Sequence, residues 1–158
     1  MTNEVETIAE LMNKHKLTLA IAESCTGGLI CHTVTNIAGS SSFFEMGIVS
    51  YSDTAKMNLL NVQRKTLQRY GAVSSQTAEE MAQGIRTKAG VDIGLSTTGI
   101  AGPGGGTATK PVGLVYIALS HKKGTTAYKY TFSGDRWNNK KSACQNSLEL
   151  LITHLLTL

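Results

Sequence analysis

The serine at position 24 has the sequence setting most favourable to covalent chemistry. It lies in the segment 22–28, AESCTGG, where an apolar run predicted as a strand ends and a helix is predicted to begin. Free N–H groups in the first turn of a helix bind an oxyanion, and the helix dipole favours negative charge there. The segment therefore fits the nucleophile of an acyl-transfer reaction. The alternative is a serine that only caps the helix.

A serine nucleophile needs a base, and Lys56 is the best candidate because no histidine is well placed. His32, the nearest, lies two predicted helical turns beyond Ser24. If Asp53 is an N-cap, Lys56 is the third helical residue, where the dipole disfavours an ammonium ion. Lowering a lysine pKa from ~10.4 to ~7 costs roughly 4.6 kcal/mol, of which the dipole supplies about 1. Burial must supply most of the rest. The alternative is an exposed helix lysine.

Cys25 is a second candidate nucleophile. It shares the setting at a predicted helix N-terminus, which lowers a thiol pKa. Its side chain should point away from that of its neighbour, however, and a buried cysteine is more often inert packing. The chain has no GxSxG elbow, which disfavours an α/β-hydrolase.

A glycine-rich stretch and one arginine could bind an anionic ligand. Residues 99–107, GIAGPGGGT, contain five glycines, and such a loop can wrap its N–H groups around an anion or a flat ring. It is neither a Walker A nor a GxGxxG motif, and a purely structural loop is the alternative. Arg136 lies where a strand is predicted to end and a helix to begin. It could clamp a phosphate, or pair with Asp135 or another surface carboxylate.

Composition limits the class of protein. The 158 residues are 41% hydrophobic and 16% charged, which is typical of one globular domain. Three cysteines without a CxxC pair and four scattered histidines indicate reduced thiols and no metal site. No apolar run is long enough for a bilayer, and the acidic N-terminus is not a signal peptide, which predicts a cytoplasmic protein. The net charge of +4 is too small to indicate nucleic-acid binding.

The elements that must position these residues can be predicted from periodicity. Helices are predicted over 3–14 with Asn3 as N-cap, after Ser52-Asp53, over 75–89 and over 136–156. Strands are predicted over 17–22, 43–51 (Met46, Ile48 and Val49 in the core), 92–97, 112–120 and 125–132, the last two as an antiparallel hairpin. Together these helices and strands predict an α/β fold: a single three-layer domain over 1–158, with a mixed β-sheet of about five strands and helices on its faces.

Several motifs together resemble those of one known family. They are AESCTGG at 22–28, GSS at 39–41, YS at 51–52 with Lys56, GAVS at 71–74, TGIAGP at 98–103, GGT at 105–107 and KPVG at 110–113. In this order, over nearly the whole chain, they resemble the CinA C-terminal domain family, the bacterial nicotinamide-nucleotide amidases.

The resemblance implies hydrolysis of nicotinamide mononucleotide to nicotinic acid mononucleotide and ammonia, without metal or cofactor. It implies that Ser24 is the nucleophile, Lys56 the base and Tyr51 a nearby hydroxyl. It implies that Thr98 and the glycine-rich loop lie against the nucleotide, with Gly99, Gly102, Gly104, Gly105 and Thr107 as binding residues, and that Arg136 lies near the phosphate. For the proposed acyl transfer, the N–H groups of Cys25 and Thr26, at the start of the helix predicted to begin at Thr26, are the expected oxyanion donors. Gly27 would let the substrate approach the backbone closely. The resemblance also implies a homodimer. After Arg136 the family often has a further arginine, whereas this chain has NNKK at 138–141.

Two other functions remain open at this point. The glycine-rich loop and Arg136 would also suit a non-catalytic regulatory module that binds a pyridine nucleotide. The net charge and the family name are the basis of the second alternative, a competence- or DNA-damage-associated accessory protein. The amidase hypothesis predicts that the partner is a small-molecule substrate and that the chain binds neither nucleic acid nor a membrane.

Overall fold

A computed structural model describes residues 2–158. Its helices are α1 (Thr2–His15), α2 (Leu29–Thr35), α3 (Asp53–Leu60), α4 (Arg64–Tyr70), α5 (Ser75–Ala89) and α6 (Arg136–Leu155), with a short 3₁₀ helix at Ser40–Ser42. Its strands are β1 (Leu19–Glu23), β2 (Phe44–Val49), β3 (Ile93–Gly99), β4 (Leu114–His121) and β5 (Gly124–Thr131).

The five strands form one mixed sheet in the order β2-β1-β3-β4-β5. Strand β1 pairs in parallel with both β2 and β3, whereas β3–β4 and β4–β5 are antiparallel. The chain therefore leaves β1 toward one side of the sheet and later returns on the other side. In α/β sheets, ligands bind in the crevice at the carboxyl ends of strands where the order reverses in this way.

Helices cover both faces of the sheet and make a three-layer α/β fold. Helices α1, α2 and α6 share one core with Leu19 and Ile21 of β1. Helices α3 and α5 share the other core with Ala20 and Ala22. Alternate residues of β1 thus face opposite layers, and the whole strand is buried, as its uninterrupted apolar sequence predicts.

Most predicted elements are confirmed, but the predictions for Asn3 and Val49 are wrong. Helix α1 already includes Asn3, whose carbonyl accepts a hydrogen bond from Thr7 inside the helix, so Asn3 is not its N-cap. Val49 is 47% exposed because β2 is an edge strand with alternating burial. Helix α4 was not predicted.

Candidate active site

Ser24 lies directly after β1, at the crevice between β2 and β3. Its N–H donates to the Thr97 carbonyl of β3 at 3.0 Å, and the Glu23 carbonyl accepts from the Ser50 N–H at 2.8 Å. The residue is 7% exposed. The sheet therefore places the Ser24 hydroxyl at the carboxyl edge of three parallel strands.

Lys56 projects from helix α3 into the same crevice. The N-cap of α3 is Ser52, whose hydroxyl accepts from the Ala55 N–H at 3.0 Å, so Lys56 is the fourth helical residue. The predicted cap at Asp53, with Lys56 in third place, is wrong. Lys56 is only 1% exposed, which contradicts the alternative of an exposed helix lysine.

The Lys56 amine contacts three oxygens. It donates to the carbonyls of Ser50 at 2.8 Å and Tyr51 at 3.5 Å, and its Nζ lies 3.0 Å from Ser24 Oγ. A neutral amine has two N–H donors and one lone pair. Because the carbonyls can only accept, they orient the two N–H groups, and the lone pair is left to face Ser24. This is the arrangement that a base needs to take the hydroxyl proton.

The protonation of Lys56 follows from its burial. Loss of hydration lowers the pKa of the Lys56 ammonium, and the nearby Asp53 carboxylate partly opposes this shift. Burial, rather than the helix dipole, is thus the main cause of the lowered pKa. The neutral form is correspondingly more populated near neutral pH than in an exposed lysine.

Cys25 is a poor nucleophile in this setting. Burial raises the pKa of its thiol to about 12, and the Glu23 carboxylate acts in the same direction. Since the thiolate is the reactive species, a thiol with this pKa is unreactive near neutral pH. The structure therefore favours Ser24 over Cys25.

The Glu23 side chain binds the N–H groups at the start of helix α2. Its carboxylate is fully buried and accepts from the N–H groups of Gly28 at 2.9 Å, Ile30 at 3.2 Å and Cys31 at 2.8 Å. The first N–H groups of this helix are therefore already bonded within the protein. The N–H groups predicted to bind a substrate oxyanion, those of Cys25 and Thr26, are not among them.

Helix α2 also begins later than predicted, at Leu29 instead of Thr26. Gly27 and Gly28 have φ angles of 63° and 97°, which a right-handed helix does not allow. Cys25 and Thr26 consequently lie in a turn, and within residues 2–158 their N–H groups donate to no backbone carbonyl. Cys25 keeps 7% exposure, whereas Thr26 is fully enclosed.

Two predicted binding residues use their hydroxyls inside the protein. Thr26 Oγ1 and Thr97 Oγ1 share a hydrogen bond of 2.8 Å. Thr98 is 1% exposed and donates to the Ala72 carbonyl at 2.7 Å. Both threonines thus fix the backbone around the crevice.

Arg136 joins the glycine-rich loop to the segment that carries Lys56. Its Nη1 donates to the Gly102 carbonyl at 2.6 Å and its Nη2 to the Tyr51 hydroxyl at 3.0 Å. Asp135 instead caps α6 by accepting from the Asn138 N–H at 2.8 Å. No carboxylate of the described chain pairs with Arg136, so its charge remains available to an anionic ligand.

The side chains of Lys140 and Lys141 lie in different surroundings. The amine of Lys140 lies 3.4 Å from the position that a Cβ at Gly27 would occupy, beside the turn that follows Ser24. The amine of Lys141 instead lies 6.0 Å from the ring centroid of exposed Trp137. Of the two, Lys140 is thus the cation beside the candidate site.

Beyond Gly102, the rest of the glycine-rich loop is exposed at the surface. Gly99 ends β3, and Gly104, Gly105 and Thr107 are exposed. Thr107 closes the loop on Lys110 through hydrogen bonds of 2.7 and 3.0 Å. Along the described residues no hydrogen bond connects this exposed part to the crevice.

Three of the four histidines meet at the other end of the sheet. His15, His121 and His154 line a cavity of about 380 Å³ beside the amino ends of β1 and β3. Neither they nor any other described His, Cys, Asp or Glu residues form a group able to hold a metal ion. Across 2–158, none of the helices combines the length and apolar character that crossing a membrane requires.

Glu23 and Lys140 were not predicted as site residues. An acidic residue just before a helix start is a recognisable signal for Glu23. Lys140 is four residues after Arg136, the spacing that places two side chains on one helix face. Both signals are present in the sequence, but only the fold shows what they contact.

The chain is similar to known proteins over almost its full length. Residues 2–155 match the family model described as the CinA C-terminal domain. A CinA-like protein of Dictyoglomus thermophilum is 49% identical over 99% of this chain and 38% of its own length. The curated relatives are longer, and this chain spans less than two-fifths of those it matches first.

Solved structures show the same fold. The competence/damage inducible protein CihA from Agrobacterium tumefaciens has a TM-score of 0.93 at 38% identity, with 96% of this chain and 93% of that chain covered. A CinA superfamily protein from Klebsiella pneumoniae has a TM-score of 0.95 at 32% identity, with coverage of 99% and 98%. The chain belongs to the CinA C-terminal domain family.

Proposed function

We propose that this chain hydrolyses the carboxamide of nicotinamide mononucleotide, giving nicotinic acid mononucleotide and ammonia. The observation that carries the proposal is the buried pair of Ser24 and Lys56, whose Oγ and Nζ lie 3.0 Å apart. A serine beside a neutral amine is the arrangement of Ser-Lys acyl transfer. The family membership supports the same chemistry.

In the first step, the lone pair of Lys56 takes the Ser24 proton while Ser24 Oγ attacks the carboxamide carbon. The tetrahedral intermediate collapses as Lys56 returns this proton to the leaving nitrogen, so that the C–N bond breaks and ammonia departs. An ester between Ser24 and the nicotinoyl group remains. Water, deprotonated by Lys56, then cleaves the ester, and Ser24 regains its proton.

The oxyanion of each tetrahedral intermediate needs a hydrogen-bond donor beside Ser24. We assign this role to the N–H of Cys25, which donates to no backbone carbonyl of the described chain and belongs to a residue that keeps some exposure. The turn is already held by the bonds of the Glu23 carboxylate. A donor fixed before the reaction costs no reorganisation when the charge develops.

The phosphate of the substrate would lie toward the start of α6. Arg136 and Lys140 supply two positive charges there, and the exposed Tyr51 hydroxyl is bound to Arg136. The glycine-rich loop is joined to this cluster through the Gly102 carbonyl. We further propose a homodimer in the cytoplasm, where the three free thiols stay reduced.

A substrate comparison tests the activity. Ammonia release should be fast with nicotinamide mononucleotide, far slower with nicotinamide, which lacks the phosphate, and slow with the intact dinucleotide. Release that is equal for nicotinamide and the mononucleotide would contradict the assigned phosphate site. If calorimetry shows that the mononucleotide binds but no ammonia is released, the chain is instead a regulatory module. For that function the glycine-rich loop and Arg136 would be sufficient.

Lys140 offers a matched test of the phosphate site. Lys140→Ala should raise the KM for nicotinamide mononucleotide by about three- to tenfold, because one charge contact with a partly exposed phosphate is lost. Lys141→Ala, the neighbouring change beside Trp137, should leave the KM unchanged. Equal effects of the two substitutions would show that only the general positive charge matters. Steady-state kinetics at fixed ionic strength measure both.

A further inference from the structure

Asn139 is a buried amide close to, but not within, the proposed phosphate site. It is 1% exposed and projects from the first turns of α6. Its Nδ2 donates to the carbonyls of Ala101 at 3.0 Å and Gly134 at 2.9 Å, and its Oδ1 accepts from the Gly134 N–H at 2.9 Å. Both donors and the acceptor of one side chain are thus used on two separate backbone segments.

These two segments are the ones that determine where Arg136 points. Ala101 directly precedes Gly102, whose carbonyl accepts from Arg136. Gly134 directly precedes Asp135, the N-cap of the helix whose first residue is Arg136. Asn139 therefore connects the backbone that carries Arg136 with the backbone that Arg136 contacts.

The guanidinium provides less of this constraint. The side chain of Arg136 is exposed, and its bond to the hydroxyl of the 61% exposed Tyr51 is open to solvent, although its bond to the Gly102 carbonyl is partly buried. A long side chain with one exposed contact is held less firmly than a fully bonded amide in the interior. The fixed part of the arrangement is thus the buried amide.

We propose that Asn139 is a positioning residue for phosphate recognition: it holds the glycine-rich loop against the start of α6, so that Arg136 is oriented before the substrate arrives. This rests on the proposed function, since it assigns Asn139 to the phosphate site of that reaction. Pre-organisation of this kind improves binding by reducing the ordering required on association.

The test compares Asn139→Ala and Asn139→Ser with Asn138→Ala, which changes the exposed asparagine next to it. Substrates are nicotinamide mononucleotide and nicotinamide riboside, which has the same ring and ribose without the phosphate. We expect Asn139→Ala to raise the KM for the mononucleotide about tenfold, with kcat within about threefold. Activity on the riboside should stay at its wild-type level, and Asn138→Ala should resemble wild type on both substrates.

A double-mutant cycle with Arg136→Ala completes the experiment. If Asn139 acts through Arg136, the double variant should bind the mononucleotide no worse than Arg136→Ala alone. Additive losses, or equal losses on both substrates, would overturn the proposal. Should Asn139→Ala unfold, as thermal melting would show, Asn139→Ser keeps a neutral hydroxyl that can make one of these hydrogen bonds, and it undergoes the same comparisons. Wild-type protein that releases no ammonia would contradict the proposed function instead, and is distinguishable from both results.

Discussion

Ser24→Ala should abolish ammonia release from nicotinamide mononucleotide, with a fall in kcat of at least about 10³-fold. The substitution removes the only atom that can form the acyl-enzyme at the end of β1, but it leaves the backbone bond from Ser24 N–H to Thr97 in place. The thermal melting temperature and the affinity for the mononucleotide should therefore change little. A coupled ammonia assay and calorimetry measure the two quantities separately.

Cys25→Ala is the matched control because it changes the neighbouring residue in the same turn. Its thiol has a pKa of about 12 and does not ionise in the neutral range, so we expect kcat within about threefold of wild type. Any loss of stability would reflect packing in the buried core. If instead Cys25→Ala is inactive and Ser24→Ala active, the nucleophile is the thiol.

Lys56→Met should be as inactive as Ser24→Ala, and the protein should remain folded. Methionine has nearly the length of lysine, fills the same buried space and cannot accept a proton. Because an amine no longer has to be buried, the melting temperature should be equal to that of wild type or higher. Inactivity together with undiminished stability would separate a catalytic role from a structural one. Activity within tenfold of wild type would contradict the role of Lys56 as base.

The lowered pKa of Lys56 also predicts how activity and stability depend on pH. As the pH rises through this pKa, the amine becomes neutral, and kcat/KM should increase to a plateau in wild type. Between this lowered pKa and the unfolded value of about 10.4, the unfolded chain binds more protons than the folded one, so the free energy of unfolding rises with pH. In Lys56→Met this contribution should be absent. Denaturant titrations across the alkaline range, compared between the two proteins, measure it.

Much of the fold could be predicted because local periodicity and tertiary packing agree. Helix α5 has its predicted bounds of 75–89, and Cys144, Leu148 and Leu151 of α6 are all fully buried, as their spacing predicts. The β4–β5 hairpin follows from two strand-forming runs around a short turn. In each case one short segment contains the whole signal.

The errors occur where conformation depends on local contacts that have no periodicity or on contacts between distant segments. The start of α2 is set by two glycines in the left-handed region and by the Glu23 carboxylate, and no periodicity reports either. The burial of Lys56 depends on how α3 is placed against the strand ends. The sequence could therefore suggest Ser24 and Lys56 as partners, but the 3.0 Å separation of their reacting atoms depends on the sheet that joins them.

The buried carboxylate of Glu23 makes the distribution of charge around the site asymmetric. The helix N-termini near the crevice include those of α2 and α6, and each carries partial positive charge. The Glu23 carboxylate neutralises the N-terminus of α2, whereas the cations Arg136 and Lys140 lie beside the N-terminus of α6. A ligand with an anionic group at one end is thus attracted in one sense only, with that group toward Arg136 and Lys140 and its other end toward Ser24. For the proposed substrate, we expect the phosphate to be drawn to these cations, so that the pyridinium ring, which is itself positively charged, is directed toward Ser24 before it makes any contact.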